Sequence, residues 1–529
     1  MIGLGWATDD LLASRTAATP ERTAVVDAET DRRWTYRELD ADVEHLAGRL
    51  PGTPGDRIGV LLPTRPAFVH LLFAAMRADR TLVLLNVEEA GGELASKAAR
   101  ADVSAVICDR ETEALARESA GDAPVYVLEE ECRDAETVPS LSQLEGDVTQ
   151  READETGTYA LEHDPVDFPT DIDESDLLIA FTSGTSGQPK AVRLTPTNLV
   201  SSATASAFRL GVSPDDRWLC CLPMYHMGGL APVFRSALYG TTVVLQHSFD
   251  PDHTAELLET AGVTGVSLVP TMLTRLLESG WTPGERLRFV LLGGAPAGTE
   301  LLERCRRTGV PVYPTYGMTE TASQIATATP EAAFSHPGTV GQPLVCTDVT
   351  IVGDDGTPVD AGETGEIVVS GPTVTPGYLG ADRTDAAFGE YGFHTGDIGR
   401  RDEDGRLWVL DRTSDRIVTG GENVDPSEVR AVLDAHPAVE EAAVVGLPDP
   451  EWGERIGALV VDETGSINHK PALEPHSLRS FCRERLAGFK CPKTIALTSS
   501  LPRTHSGTVD RDAVEQRLLE AGVDVSSDS

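Results

Sequence analysis

Alternating strand-like and helix-like segments predict an α/β fold. A large N-terminal domain of doubly wound sheets would be followed by a smaller α+β unit. Short apolar runs at residues 58–62, 177–181 and 287–292 read as buried strands. Segments of helical period lie between such runs, at 198–209, 251–260, 270–278 and 298–307. Polar, glycine-bearing motifs stand just after several strand ends, where open parallel sheets place ligands. At 529 residues the chain is too long for one core, so two or more domains are expected.

In chain order, Thr35-Tyr36-Arg37-Glu38 is a capping box that opens a helix to Leu50. A buried strand at 58–62 precedes an amphipathic helix at 65–77, and strands at 81–85 and 103–108 follow. Residues 109–170 are acidic and weakly periodic, and read as an irregular surface excursion. A strand ends at Pro223 with His226 at its exit, and a helix over 231–239 carries Arg235 in an apolar sequence. From about Gly338, short strands at 349–352, 365–369 and 407–410 with Gly/Asp turns indicate a small β region. The charged run Asp411-Arg412-Thr413-Ser414-Asp415-Arg416 marks a boundary. It divides the chain into a large domain (1–411), a hinge (412–416) and a small C-terminal domain (417–529).

The most informative stretch is Phe181-Thr182-Ser183-Gly184-Thr185-Ser186-Gly187-Gln188-Pro189-Lys190. Its glycines let backbone N–H groups approach an anion, its hydroxyls add donors, and Lys190 adds a mobile charge. That is the chemistry of a phosphate cradle. A Walker A loop is excluded, because Pro189 replaces its second glycine and a strand, not a helix, follows. A Ser/Thr/Gly run alone would read as a surface loop. Two more loops follow strand ends: Gly293-Gly294-Ala295-Pro296 and Tyr316-Gly317-Met318-Thr319-Glu320-Thr321. Each alone reads as a turn or a helix start. To these add His226 after Pro223, Thr395-Gly396-Asp397, and Asp411-Arg412 ahead of Gly420-Gly421-Glu422-Asn423. Together and in this order, the motifs resemble those of the adenylate-forming superfamily (acyl-CoA synthetases, peptide-synthetase adenylation domains and luciferases). The resemblance runs over nearly the whole chain.

The resemblance implies a carboxylate that attacks the α-phosphorus of ATP, releases pyrophosphate, and then passes its acyl group from AMP to a thiol. ATP, Mg²⁺ and coenzyme A are the implied cofactors and co-substrates. By the same resemblance, Thr182, Ser183, Gly184, Thr185, Ser186, Gly187 and Lys190 hold the β/γ-phosphates. Gly294 and Ala295 line the adenine slot and Tyr316 stacks on the base. Thr319 contacts the α-phosphate and Glu320 orients the metal. Asp397 accepts from both ribose hydroxyls, with Arg412 in support. His226 gates the passage between acyl pocket and thiol tunnel; the acid is already ionised, so no base is needed. Ser414 is the hinge about which the small domain turns. The bland readings are a turn residue for Asp397, a dipole-favoured helix acid for Glu320 and a satisfied buried histidine for His226.

One departure stands out. The family ends in Ser-Gly-Lys, and here Ser506-Gly507-Thr508 puts threonine in the lysine's place. Another cation substitutes (Lys490, Lys493 and Arg503 are near in sequence), or adenylation is slow, or the step is lost.

Two details narrow the acid: 316–325, and the run from His226 through Arg235 to Gly240. Both resemble the 2-succinylbenzoate–CoA ligases of menaquinone biosynthesis. That substrate has a second carboxylate, for which Arg235 and Ser323 are the implied contacts; the bland reading of Arg235 is an ordinary helix-surface arginine. Another acyl- or aryl-CoA ligase, and a non-catalytic acyl-adenylate-binding homologue, stay open as alternatives.

Composition sets the partners. A net charge of −40 repels nucleic acid and anionic membranes. No apolar run approaches the ~20 residues of a membrane span. The N-terminus lacks a basic stretch, so no signal peptide is expected. Eight cysteines without metal spacing read as free thiols of a cytoplasmic protein. The partners are then a small carboxylic acid, ATP and CoA; a homodimer stays open. Only Lys97, Lys190, Lys470, Lys490 and Lys493 are lysines among 44 basic residues, and the acid is spread along the chain. This suits a halophilic cytoplasm. Dialysis from molar to low salt should therefore abolish activity, and full activity retained at low salt would disprove the halophilic reading.

Overall fold

The computed structural model describes residues 10–133, 136–143, 175–182, 189–412, 417–419, 422–424, 426–450, 452–462, 473–486, 488–504 and 509–525. Helix Pro66–Arg77 is apolar on every side, and Pro66 through Met76 are all buried. It is therefore not the amphipathic surface helix expected. A helix without a polar face must be covered all round. One hydrophobic cluster joins it to strands of two sheets, through Val25, Val243 and Leu245 on one side and Ile58, Leu82 and Leu178 on the other. Helices Tyr36–Ala47, Pro196–Leu210 and Met227–Tyr239 share this middle layer. The first opens with the expected capping box, in which Thr35 and Glu38 exchange hydrogen bonds.

The first sheet has nine strands among the described residues. Its spatial order is Gln342–Pro343, Ala326–Thr327, Val312–Tyr316, Phe289–Leu292, Gly265–Leu268, Arg217–Cys220, Thr242–Leu245, Thr23–Asp27 and Arg33–Thr35. Its central pairs are parallel. The second sheet runs Glu136–Gln143, Val125–Arg133, Ala105–Cys108, Arg57–Leu61, Thr81–Leu84, Leu178–Thr182 and Lys190–Leu194. Separate clusters cover the outer faces of both sheets with further helices. The layering is helix–sheet–helix–sheet–helix, the doubly wound α/β class expected. The stretch 109–170 is more regular than its composition suggested. Helix Glu113–Ser119 and strands Val125–Arg133 and Glu136–Gln143 lie within it. Val125, Val127 and Leu128 of the first strand are buried, and the acidic run at 129–131 that follows them masks the strand in the sequence.

A third, antiparallel sheet holds Asp348–Val352, Thr364–Ser370, Gly392–Arg401, Phe388–Gly389 and Leu407–Arg412. Strand Gly392–Arg401 places Asp397 in a ladder opposite Arg412, not in a free turn. The expected strand Leu178–Thr182 pairs antiparallel with Lys190–Leu194. The cradle residues between them, Ser183 to Gly187, lie outside the described residues, as do Ser414 and Thr508.

Residues 417–525 form a fourth sheet, with Val439–Asp449 and Gly453–Asp462 as its long pair. Val439–Asp449 is buried on both faces. Ala442 and Val444 join one cluster, and Ala443, Val445 and Leu447 another. Such a strand reads as a continuous apolar run. Helix Arg511–Ala521 and strand Gly453–Asp462 were not anticipated. No helix among the described residues is long and apolar enough to cross a membrane, and no disulfide joins the described cysteines.

At one end of the first sheet, buried Asp27 faces His247 across the parallel pair, with Nε2 2.9 Å from Oδ1. The carboxylate's hydrogen bond raises the imidazole's pKa. Burial opposes ionisation of Asp27, yet hydrogen bonds from His247 and Thr30 hold it below the usual carboxylate range. The imidazolium's contribution is complete below about 6.5 and fades as pH rises through the raised value. That of the carboxylate is present above about 3.9 and fades as pH falls through the lowered one. The stability gap between wild type and Asp27→Asn should therefore be widest near pH 5.5 and shrink by pH 8.5. Denaturant titrations at both values measure it, and an equal gap would refute the pairing.

Candidate active site

Strand Val312–Tyr316 ends in a turn that depends on Gly317. A Cβ there would stand 1.6 Å from the Ser323 carbonyl oxygen, so only glycine lets the chain fold back. The turn closes through 3-10 helix Thr319–Thr321, then Ala322 at φ 54° and Ser323 at φ 135°. Two non-glycine residues in the left-handed region cost of order 1–3 kcal/mol each and persist only where neighbours fix them. Ser202 Oγ donates to the Ala322 carbonyl at 3.1 Å, and Arg235 donates to Ser323 Oγ at 3.1 Å.

Three groupings of the singled-out residues emerge. In the first, the Tyr316 hydroxyl donates to Asp397 Oδ2 at 2.6 Å. Asp397 is buried, and Thr395 Oγ1 accepts from its N–H at 3.0 Å. Glu366 accepts from the Gly396 N–H with one oxygen and lies 2.8 Å from His394 with the other. Arg412 is Asp397's cross-strand neighbour. Gly293 and Gly294 follow the adjacent parallel strand Phe289–Leu292. A Cβ on Gly293 would meet Thr315 Cγ2 at 2.8 Å, and Gly294 has φ 81°. Ala295, beside it, is half-buried.

In the second, Glu320 and Lys190 meet around Tyr378. The Tyr378 hydroxyl donates to Glu320 Oε1 at 2.9 Å, and Lys190 Nζ lies 5.2 Å from the Tyr378 ring centroid. Burial, then the neighbouring Glu320 charge, pushes the phenol's pKa up. Thr319 is half-buried one residue before Glu320, and Thr182 pairs with Lys190 at the end of the hairpin. Tyr378 was missed from the sequence. Its only signal was a lone aromatic between Gly377 and Gly380, which reads as a turn.

In the third, Arg235 is only 2 % exposed, which excludes an ordinary surface arginine. Its guanidinium lies 5.3 Å from the Trp218 ring and bonds Ser323, while Nε has no hydrogen-bond partner. Burial pushes its pKa down to about 10, so it stays charged at neutral pH. No carboxylate among the described residues pairs with it. A buried charge is costly unless paired.

His226 caps the same helix, Met227–Tyr239, which starts earlier than the sequence suggested. Nine residues separate it from Arg235, about 13 Å along the axis. Close approach of the Leu222 and Pro223 carbonyls to Gly229 allows no side chain there. The imidazole packs edge-on to Tyr225 at 4.9 Å. Solvent reaches it, yet surrounding protein mass and then Lys97 lower its pKa, as expected in the wall of a cleft.

A single carboxylate such as Glu320, with one oxygen held and Oε2 accepting nothing from the described residues, suits Mg²⁺. That ion commonly binds one or two carboxylates together with substrate phosphates.

Comparison with known proteins accords with this geometry. The AMP-binding enzyme family matches residues 12–379, and its C-terminal domain family matches 428–508. A 2-succinylbenzoate–CoA ligase of Bacillus velezensis is 38% identical over 511 residues, covering 96% of this chain and 97% of that protein. Among solved structures, o-succinylbenzoate CoA synthetase (MenE) from Bacillus subtilis in complex with the acyl-adenylate intermediate OSB-AMP gives a TM-score of 0.80 at 34% identity, covering 96% of this chain and 98% of that one. The same enzyme in complex with ATP and magnesium ion gives 0.78 at 34% identity, covering 96% and 99%. With a family match spanning residues 12–379 and relatives alike along almost their whole length, this chain belongs to the AMP-binding enzyme family.

Proposed function

We propose that this chain is an AMP-forming acid–CoA ligase that converts 2-succinylbenzoate to its CoA thioester in menaquinone biosynthesis. The observation that carries the choice of acid is Arg235: a buried, charged guanidinium with no carboxylate partner among the described residues, beside Ser323. The substrate's aryl carboxylate would fill that place, leaving the succinyl carboxylate to react.

In the first step a succinyl carboxylate oxygen bonds to the α-phosphorus of ATP, and the bond to the leaving pyrophosphate breaks. In the second, the CoA thiol adds to the acyl carbonyl, AMP leaves, and the thiol proton is released. Charge on phosphate oxygens grows in the first step, and fixed donors there are worth ~3–4 kcal/mol each. Thr182, Ser183, Gly184, Thr185, Ser186, Gly187 and Lys190 are assigned to the β/γ-phosphates, and Thr319 to the α-phosphate. Tyr316, Gly294 and Ala295 are assigned to adenine, and Asp397 with Arg412 to the ribose. The tie between the Tyr316 hydroxyl and Asp397 supports a base and a ribose side by side. Glu320 would hold Mg²⁺, which neutralises phosphate charge when bound. A lowered pKa keeps His226 neutral at pH 7, in keeping with a gate that does not attract the free acid.

The proposed division is 1–411, a hinge at 412–416 containing Ser414, and 417–529. Its support is that the two clusters built from 417–525 contain no residue of the large domain. The thiols and the acidic balance support a cytoplasmic setting. A second reading, a homologue that binds acyl-adenylates without forming them, is favoured by Thr508 in place of lysine.

Pyrophosphate release with ATP, Mg²⁺ and a panel of acids in high salt separates these readings. Release should be fastest with 2-succinylbenzoate; none with any acid would favour the second reading. Arg235→Ala should raise KM for 2-succinylbenzoate about 10- to 100-fold, the loss expected for hydrogen bonds to a charged group, and leave that for ATP unchanged. An unchanged KM for the acid would overturn the assignment of its pocket.

A further inference from the structure

Residues 375–379 cross between the two elements assigned to phosphate and metal. On one side they clamp strand Lys190–Leu194. The Arg193 N–H donates to the Gly377 carbonyl at 3.0 Å, and the Leu379 N–H to that of Ala191 at 2.9 Å. Val192 and Tyr378 form an antiparallel bridge. Thr375 Oγ1 adds a bond to the Arg193 carbonyl at 2.6 Å. On the other side the Thr375 N–H donates to the Glu320 carbonyl at 2.7 Å, and the Tyr378 hydroxyl to Glu320 Oε1 at 2.9 Å. Tyr378 is 3 % exposed and Glu320 7 %. Gly377 has φ 137°, and a Cβ there would meet Thr384 at 2.4 Å, so the strap is held in place from behind as well.

A carboxylate facing a polyphosphate is repelled by it and swings away unless tethered. Here the tether takes one oxygen and leaves Oε2 with no hydrogen bond from the described residues. The same ring that carries the tether lies under Lys190. We propose that Tyr378 is a positioning residue: it fixes the Glu320 carboxylate for Mg²⁺ and, through strap 375–379, sets that carboxylate's distance from Lys190. This rests on the adenylation reading above.

Outer partners that orient a metal ligand are typically worth 10- to 100-fold in metal affinity. Tyr378→Phe keeps the ring under Lys190 and removes only the donor. It should weaken binding of the manganese complex of a non-hydrolysable ATP analogue at least tenfold, followed by the Mn²⁺ resonance signal. Affinity for the metal-free analogue and the unfolding temperature should stay near wild type, a split that a merely structural tyrosine would not give. Equal Mn²⁺ titrations for Tyr378→Phe and wild type would overturn the proposal. Should the phenylalanine variant not fold, Thr375→Val cuts the hydroxyl's link to the Lys190 strand. Weakened binding restored by Thr375→Ser supports the strap, and unchanged binding refutes it. The two readings fail separately. Wild type that releases no pyrophosphate with any acid, while Tyr378→Phe still loses Mn²⁺ affinity, removes the ligase assignment and leaves the role of Tyr378 standing.

Discussion

The site depends on a missing atom. Because Gly317 has no Cβ, the Ser323 carbonyl can occupy the space beside it, and the chain reverses within seven residues of a strand end. That reversal sends three side chains in three directions. Tyr316 reaches Asp397 on the antiparallel sheet, Glu320 reaches Tyr378 on the strap, and Ser323 reaches Arg235 on a buried helix. Relaxing the turn would loosen all three contacts together. The left-handed φ angles of Ala322 and Ser323 show that the surroundings, not local preference, enforce the shape.

Arg235 shows the converse, a group left unsatisfied by the fold. Its helix lies in the middle layer between two sheets. A lysine there would lose its proton more readily and offer no planar fork. The guanidinium keeps its charge and a fixed direction, with Trp218 under its face and Ser323 at its edge. On the proposed function, the free energy withheld from folding becomes available to the second carboxylate of the substrate.

Much of this was legible in the sequence, for identifiable reasons. Strands 217–220, 242–245 and 265–268 lie in short, largely apolar stretches, and their length suits a strand rather than a helix. The motifs at 293–296 and 316–321 follow such strands, so their meeting at one sheet end follows from parallel order. What stayed hidden depended on distant partners. Helix Pro66–Arg77 could be told from an amphipathic one only by knowing that a second sheet covers it. Asp397 looked like a turn residue because Gly396 precedes it; the ladder to Arg412 is made with chain fifteen residues on. Tyr378 had no local signal at all, since its partner Glu320 lies 58 residues earlier.

The acidic surface gives the unpaired cations their meaning. With 84 acidic residues against 44 basic ones, some arginines are shared between carboxylates. Arg77 serves Asp10, Asp40 and Glu44 at once, Arg406 serves Asp402 and Asp404, and Arg65 serves Asp109 and Glu111. Arginine suits this because its fork bonds several oxygens without deprotonating, which accounts for the scarcity of lysine better than net charge alone. Arg235 is set apart from these carboxylates by burial, and Lys190 lies over the Tyr378 ring. On the proposed function, these two positive charges meet the anionic groups of the substrates.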